Sequence, residues 1–159
     1  IVMTPKNMLR NPAASSNLNE LAEGEFQVVI PETAKLDSKH IDREALCSGK
    51  VYYDLLEKRT AAKLNNIAII RIEQLYPFPQ EACKKALEPY RQAKEIVWCQ
   101  EEPKNQGSWT KMRDYLADLL HKGQTLRYAG RPASASPAAG YHAIHEKQRE
   151  ELLAQALIV

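Results

Sequence analysis

Apolar residues in this chain fall into short blocks, and the spacing within the blocks alternates between two kinds. Ala45-Leu46-Cys47-Ser48, Ile67–Ile72, Ile96-Val97-Trp98-Cys99 and Leu126-Arg127-Tyr128-Ala129 are near-continuous runs of strand length. Such runs, rich in Ile and Val and lacking strict polar alternation, predict strands buried on both faces. Between them the apolar positions recur at helical spacing. Residues 50–64 bring Val51, Leu55, Leu56 and Ala62 near one side, and residues 80–90 predict a second helix after Pro77 and Pro79 break the chain. Ser108 predicts the N-cap of a third helix reaching about His121, which Gly123 ends. A last helix is predicted from about Tyr141 to the end of the chain.

The first 44 residues are less regular. Ile1-Val2-Met3-Thr4 reads as a short strand, and Pro5 sets a turn or helix start through Lys6, Met8, Leu9 and Arg10. Residues 11–25 are a polar surface connection, Phe26-Gln-Val-Val-Ile30 is a second apolar run closed by Pro31, and residues 32–43 read as a charged loop. The start, Ile1-Val2-Met3, has no initiator and no basic leader region, so the expectation is a piece of a longer polypeptide. Strands alternating with helices of ~10–15 residues predict βαβ units. The fold class is therefore α/β, three-layered, with a mostly parallel central sheet and helices on both faces. The whole chain, 1–159, reads as one domain, with an opening strand and linker at 1–44 and a regular βα core at 45–159.

Composition narrows the partners. The 22 basic and 20 acidic residues leave a net charge of +2, too weak a field to argue for nucleic acid or a membrane surface. No run approaches the ~20 apolar residues of a membrane helix. Cys47, Cys83 and Cys99 form no C-x-x-C pair, so neither a disulfide framework nor a zinc site is expected, and an intracellular setting fits. Cys47 and Cys99 end apolar runs and read as small buried thiols.

Motifs for catalysis are missing. There is no G-x-G-x-x-G, no complete phosphate loop (Ser48-Gly49-Lys50 resembles the tail of one) and no G-x-S-x-G elbow. His142 and His145 share a helix face, a conceivable metal pair, but read better as a polar face. Two segments follow predicted strand ends, where ligands and partners of open parallel sheets gather. In the first, Glu101-Glu102-Pro103 reads as a loop pairing with Arg or backbone donors of a partner, and Asn105-Gln106-Gly107-Ser108-Trp109 leads into a helix start. In the second, residues 130–140, Arg131 is the single charge and is suited to a bidentate carboxylate pair.

Five segments in order carry a resemblance. They are Thr4-Pro5-Lys6 with Leu9-Arg10; Cys47-Ser48-Gly49-Lys50-Val51-Tyr52-Tyr53-Asp54-Leu55; Arg71-Ile72-Glu73-Gln74-Leu75-Tyr76-Pro77-Phe78-Pro79; Trp98-Cys99-Gln100-Glu101-Glu102-Pro103 with Asn105-Gln106-Gly107; and Tyr128-Ala129-Gly130-Arg131-Pro132-Ala133-Ser134-Ala135-Ser136-Pro137-Ala138. Together they resemble the C-terminal domain of bacterial thiamine-diphosphate-dependent 2-oxoglutarate dehydrogenases, and the resemblance covers nearly the whole chain.

The resemblance implies a transketolase-like C-terminal domain in an oxidoreductase of the tricarboxylic acid cycle. Such an enzyme oxidatively decarboxylates 2-oxoglutarate and passes the succinyl group to a lipoyl arm. It implies thiamine diphosphate and magnesium bound outside this segment, and it carries over no catalytic, cofactor-binding or metal residue to this chain. The implied partners are the upstream cofactor-binding domains, a second subunit in a homodimer, dihydrolipoyl succinyltransferase and dihydrolipoyl dehydrogenase. The implied location is the cytoplasm, or the mitochondrial matrix in a eukaryote. Within the chain, Lys6, Arg10, Glu101, Glu102, Asn105, Gln106, Trp109, Arg131, Ser134 and Ser136 are the expected interface residues. An acyl-CoA effector site, as in some actinobacterial relatives, needs basic residues where this chain has residues 25–28 and Gln80-Glu81, so none is expected. Two other readings stand beside the main one: the same domain of a 2-oxoadipate dehydrogenase, or a free-standing small-molecule-binding α/β domain.

Overall fold

The computed structural model describes residues 5–157, so the expected strand at residues 1–4 lies outside the described part. In chain order the elements are helix α1 (Leu18–Glu23), strand β1 (Val29–Ile30), β2 (Arg43–Cys47), α2 (Val51–Ala61), β3 (Ile67–Ile72), α3 (Gln80–Leu87), β4 (Glu95–Pro103), α4 (Trp109–Ala117), β5 (Thr125–Arg131) and α5 (His142–Leu157). Single 3₁₀ turns stand at Lys6–Met8, Pro12–Ala14, Ser38–His40 and Glu88–Tyr90.

The β-branched runs pair as a parallel sheet. Its order is β1-β3-β2-β4-β5, with β1 alone antiparallel. Alternate strand residues then feed two cores. Ala45, Cys47, Ile67, Ile69, Val97 and Cys99 face α2 and α5, where Leu55, Leu152 and Ala156 meet them. Leu46, Ile70, Ile72, Ile96 and Trp98 face α3 and α4, meeting Cys83, Leu87, Met112 and Leu116. Helices therefore cover both faces, as the buried runs predict.

Several local expectations need correction. Glu101, Glu102 and Pro103 are not a loop: β4 continues through Pro103, with a register irregularity between Cys99 and Pro103. Helix α4 stops at Ala117 rather than near His121, and Ser108 offers it no side-chain cap. The polar connection holds a short helix, α1, closed by a capping box between Asn17 and Glu20. The segment 32–43 is not merely a solvated charged loop. The Glu32 side chain is 2% exposed, receives Ile69 N–H at 2.6 Å and pairs with Arg59. It thereby satisfies the free edge of β3 beyond the two-residue β1. A buried charge needs such partners.

The connections matter most for function. From β2 the chain crosses to β3 through α2 on one face, then returns past β2 to β4 through α3 on the other. The loops leaving β2 and β4 therefore part in opposite directions. That is the topological switch point at which open α/β sheets form a crevice.

Candidate functional site

The crevice exists. A cleft of about 550 Å³ opens at the carboxyl ends of β2 and β4, between Ser48, Gly49 and Lys50 on one side and Glu101, Glu102 and Gly107 on the other, with Pro5 and Leu75 at its rim. A second cleft of about 210 Å³ lies beside it, lined by Arg131, Pro137, His145 and Arg149, and Glu101 and Glu102 line both.

Charge in this region is organised by Lys50 and Asp54. Lys50 follows Gly49, whose φ of 69° turns the chain from strand into α2. Its ammonium reaches Glu101 Oε1 at 2.6 Å and Asp54 Oδ2 at 3.0 Å, and the other Asp54 oxygen receives Arg149 at 3.2 Å. Burial would lower the Lys50 pKa, but Glu101 and Asp54 outweigh it and hold the group above its ordinary value. The result is a neutralised chain of ion pairs joining β4, α2 and α5. Lys50 is a fully committed cation, not a proton donor in waiting.

The wall of the cleft is set by Gln100 and Tyr128. Gln100 is 3% exposed. Its carbonyl oxygen accepts from Trp98 Nε1 at 3.0 Å and from Trp109 N–H at 2.9 Å, while its amide donates to the Gln106 carbonyl at 2.8 Å. The Tyr128 hydroxyl lies within bonding distance of the carbonyls of Glu102 (3.1 Å) and Arg131 (3.0 Å), joining the ends of β4 and β5. Burial pushes the Tyr128 hydroxyl up to about 12, so it stays protonated and a donor. Neither residue was singled out as a site residue from sequence. A polar side chain inside the Trp98–Pro103 run was the available signal, because a buried amide must find partners.

The expected interface residues divide accordingly. Lys6, Arg10 and Glu102 are exposed. Asn105 and Gln106 do not stand free to cradle a ligand: both amides donate to Ser134 O, at 3.1 and 2.9 Å, and Ser134 N–H returns to Asn105 at 3.0 Å. The two strand-end segments are thus fastened to each other. Arg131 meets Gln148 Oε1 at 2.6 Å and Pro137 O at 2.9 Å, an amide and a carbonyl rather than a carboxylate. Ser136 donates to Ala138 O at 2.7 Å. Trp109 is 8% exposed and packs 5.2 Å from the Tyr128 ring, so its surface is spent inside the domain. Glu101 is half-buried against Lys50.

The three cysteines are enclosed in the core. Cys47, Cys83 and Cys99 are free and buried, as the apolar runs predict for the first and third. Burial raises all three thiols, Cys83 to about 12. His142 and His145 sit exposed on α5, and among the described residues no group of three or more His, Cys, Asp or Glu could hold a metal ion.

Residues 15–157 match the family described as 2-oxoglutarate dehydrogenase C-terminal. The chain belongs to that family. Among similar proteins is the 2-oxoglutarate dehydrogenase E1 component of Haemophilus influenzae, 54% identical over 157 residues, covering 99% of this chain and 17% of that protein. That of Coxiella burnetii is 55% identical over 159 residues, again 99% and 17%, and that of Azotobacter vinelandii is 50% identical over 162 residues, 100% and 17%. The chain thus spans about a sixth of the length of these relatives. A solved split-gene transketolase, an inactive β4 tetramer, superposes with a TM-score of 0.52 at 16% identity over 74% of this chain and 39% of that one. This likeness shows a transketolase-type fold for the 2-oxoglutarate dehydrogenase C-terminal domain.

The charged side chains lining the cleft offer no free cation to a diphosphate. A diphosphate needs a cationic or N–H-rich cradle. Here Glu101 and Glu102 face the space, and the one lysine is already paired with Glu101 and Asp54.

Proposed function

We propose that this chain is the C-terminal, non-catalytic domain of a bacterial 2-oxoglutarate dehydrogenase E1 component, acting to pack on the cofactor-binding domains and to complete the homodimer. The full enzyme would oxidatively decarboxylate 2-oxoglutarate with thiamine diphosphate and magnesium held outside this domain. It would pass the succinyl group to the lipoyl arm of dihydrolipoyl succinyltransferase in the cytoplasm, alongside dihydrolipoyl dehydrogenase. The carrying observation is about 50% identity along nearly the entire chain to proteins named as E1 components. Those names favour 2-oxoglutarate over 2-oxoadipate as the substrate. The state of the polar groups at the sheet's carboxyl edge supports the non-catalytic part. Lys50, Asn105, Gln106 and Arg131 are all engaged by neighbours within the domain, a scaffold rather than a reacting centre.

The test is direct. The 159-residue chain with added thiamine diphosphate, magnesium and 2-oxoglutarate is expected to release no carbon dioxide above background. The full E1 chain truncated before this domain is expected to lose dimer stability. Turnover by the isolated chain would overturn the reading, as would an unimpaired truncated dimer.

A further inference from the structure

One charge at the carboxyl edge of the sheet is held in place but not neutralised. Arg131, half-buried at the end of β5, donates from Nε to Gln148 Oε1 at 2.6 Å and from Nη1 to Pro137 O at 2.9 Å. Both acceptors are uncharged. Among the described residues no carboxylate pairs with this guanidinium, and its Nη2 has no hydrogen-bond partner. The main chain is fixed as well: Arg131 O accepts Lys104 N–H at 3.1 Å and the Tyr128 hydroxyl at 3.0 Å. The guanidinium fork is thus preorganised, with donors to spare.

Arg131 lines the cleft of about 210 Å³. His145, Arg149 and Leu152 line it from α5, at spacings of four and three residues that share one helix face, and Pro137 and Ala138 border it from the loop after β5. The other charges on this wall are cancelled. Arg149 pairs with Asp54, Glu146 and Glu150, and Glu101 pairs with Lys50. Glu102 has no cation partner, but its Oε2 lies 3.1 Å from the point a Gly107 Cβ would occupy, and Gly107 lines the larger cleft and not this one. Arg131 is therefore the uncancelled charge of the smaller cleft, set among apolar surface from Pro137, Ala138 and Leu152.

A guanidinium drawn part-way out of water without a counter-ion is unfavourable, and its planar fork matches a carboxylate geometrically. The cleft is smaller than the ~300–1,000 Å³ of drug-sized sites, which points to a small molecule. A dianion such as phosphate or a dicarboxylate would bring its second charge against Glu101 and Glu102, which border the same space. We propose that the cleft between β5 and α5 binds a small monocarboxylate, with its carboxylate on Arg131 and its short carbon chain against Pro137, Ala138 and Leu152. The inference goes beyond the functional reading above and does not depend on it.

Saturation-transfer NMR of the full-length chain, with butyrate as the probe, tests this. Butyrate is expected to give saturable contact signals, and butyramide, its uncharged match, none. Two variants localise the contact. Arg131→Gln removes the charge, and Ala138→Phe fills the cleft from an exposed loop while leaving Arg131 its partners Gln148 and Pro137. Each should weaken butyrate on the order of tenfold. No butyrate signal would overturn the proposal, as would a signal equal in the variants and the unsubstituted chain. Loss with Arg131→Gln but not with Ala138→Phe would also overturn it, marking a change in the fold rather than in the cleft. Displacement of butyrate by an equal concentration of inorganic phosphate would overturn the carboxylate assignment. Decarboxylase activity of the isolated 159-residue chain would refute the functional reading and leave these signals unaffected.

Discussion

The side-chain carbonyl of Gln100 accepts the backbone N–H of Trp109 at 2.9 Å, so a residue of β4 caps the helix that begins nine positions later. The same oxygen holds the Trp98 indole, and the amide holds the loop between. One buried glutamine therefore connects strand end, loop and helix start, the three parts that build the cleft wall.

Gln100→Leu should be among the more damaging substitutions in the chain. It leaves Trp98 Nε1 and Trp109 N–H without their buried acceptor, and a buried unpaired polar group costs about 1–3 kcal/mol. A loss of about 3 kcal/mol in urea unfolding is expected. A loss under about 0.5 kcal/mol, the scale of a surface change, would show that the capping bond carries no stability.

Gly130→Ala should be destabilising for a reason unrelated to backbone freedom. A Cβ there would lie 2.4 Å from the Tyr128 hydroxyl oxygen and 2.9 Å from Gln100 O, and overpacking of this kind costs about 1–3 kcal/mol. The Tyr128 ring carbon Cζ, 2.6 Å from that Cβ, clashes as well, so adding Tyr128→Ala removes both atoms and the double variant should lose less than the sum of the single ones. Additive losses would place the clash elsewhere.

Glu44 predicts a pH dependence. It is fully buried in β2 between Ala68 and Ile96, and neither of its oxygens has a hydrogen-bond partner among the described residues. Burial pushes its pKa up to about 8, against a smaller opposing pull from the Gln124 amide, which also donates to Ala93 O. The folded state then holds a proton that the unfolded chain, titrating near 4.5, gives up. This group's contribution to stability is present at low pH, declines as pH rises from about 4.5 to about 8, and is flat above. Glu44→Gln should therefore raise the melting temperature more at pH 8 than at pH 5. An equal gain at both would mean the carboxyl does not titrate in that window.

Arg43 tests the opposite end of the sheet. Its guanidinium donates to the last carbonyls of α5, Gln155 O at 3.1 Å and Ala156 O at 2.9 Å, and pairs with Glu95. A cation at a helix C-terminus is favourable and satisfies carbonyls the helix cannot. Arg43→Met should cost about 2 kcal/mol and speed amide exchange in the last turn of α5. Glu95 keeps Arg127 at 3.1 Å, so exchange in β4 should change less. Uniform acceleration across the domain would indicate global destabilisation rather than loss of a cap.

How far the sequence could be read differs by element. The run Ile67–Ile72 became β3 with the same bounds, because a β-branched stretch buried on both faces has few other uses. The end of β4 could not be placed, because Glu101 and Glu102 look like loop residues. They remain in the strand because β5 pairs as far as Pro103↔Arg131. Ser108 looked like the cap of α4, and Gln100 took the role by reaching across the bend. Asn105 and Gln106 carry no local sign of their shared acceptor, because Ser134 lies 28 or 29 residues away and only the folded sheet brings it near.

By itself, the amino-acid sequence determined the alternation of buried strands and covering helices, the α/β class and, through long ordered motifs, the family resemblance. These depend on local periodicity and on residue order, which a chain carries unfolded. The tertiary structure alone decided which polar groups are spent and which remain available. It joined the two strand-end segments, neutralised Lys50 between Glu101 and Asp54, stranded Glu44 without a partner and left Tyr76 in solvent. Those outcomes depend on contacts between residues far apart in the chain, and no local pattern encodes where such contacts close.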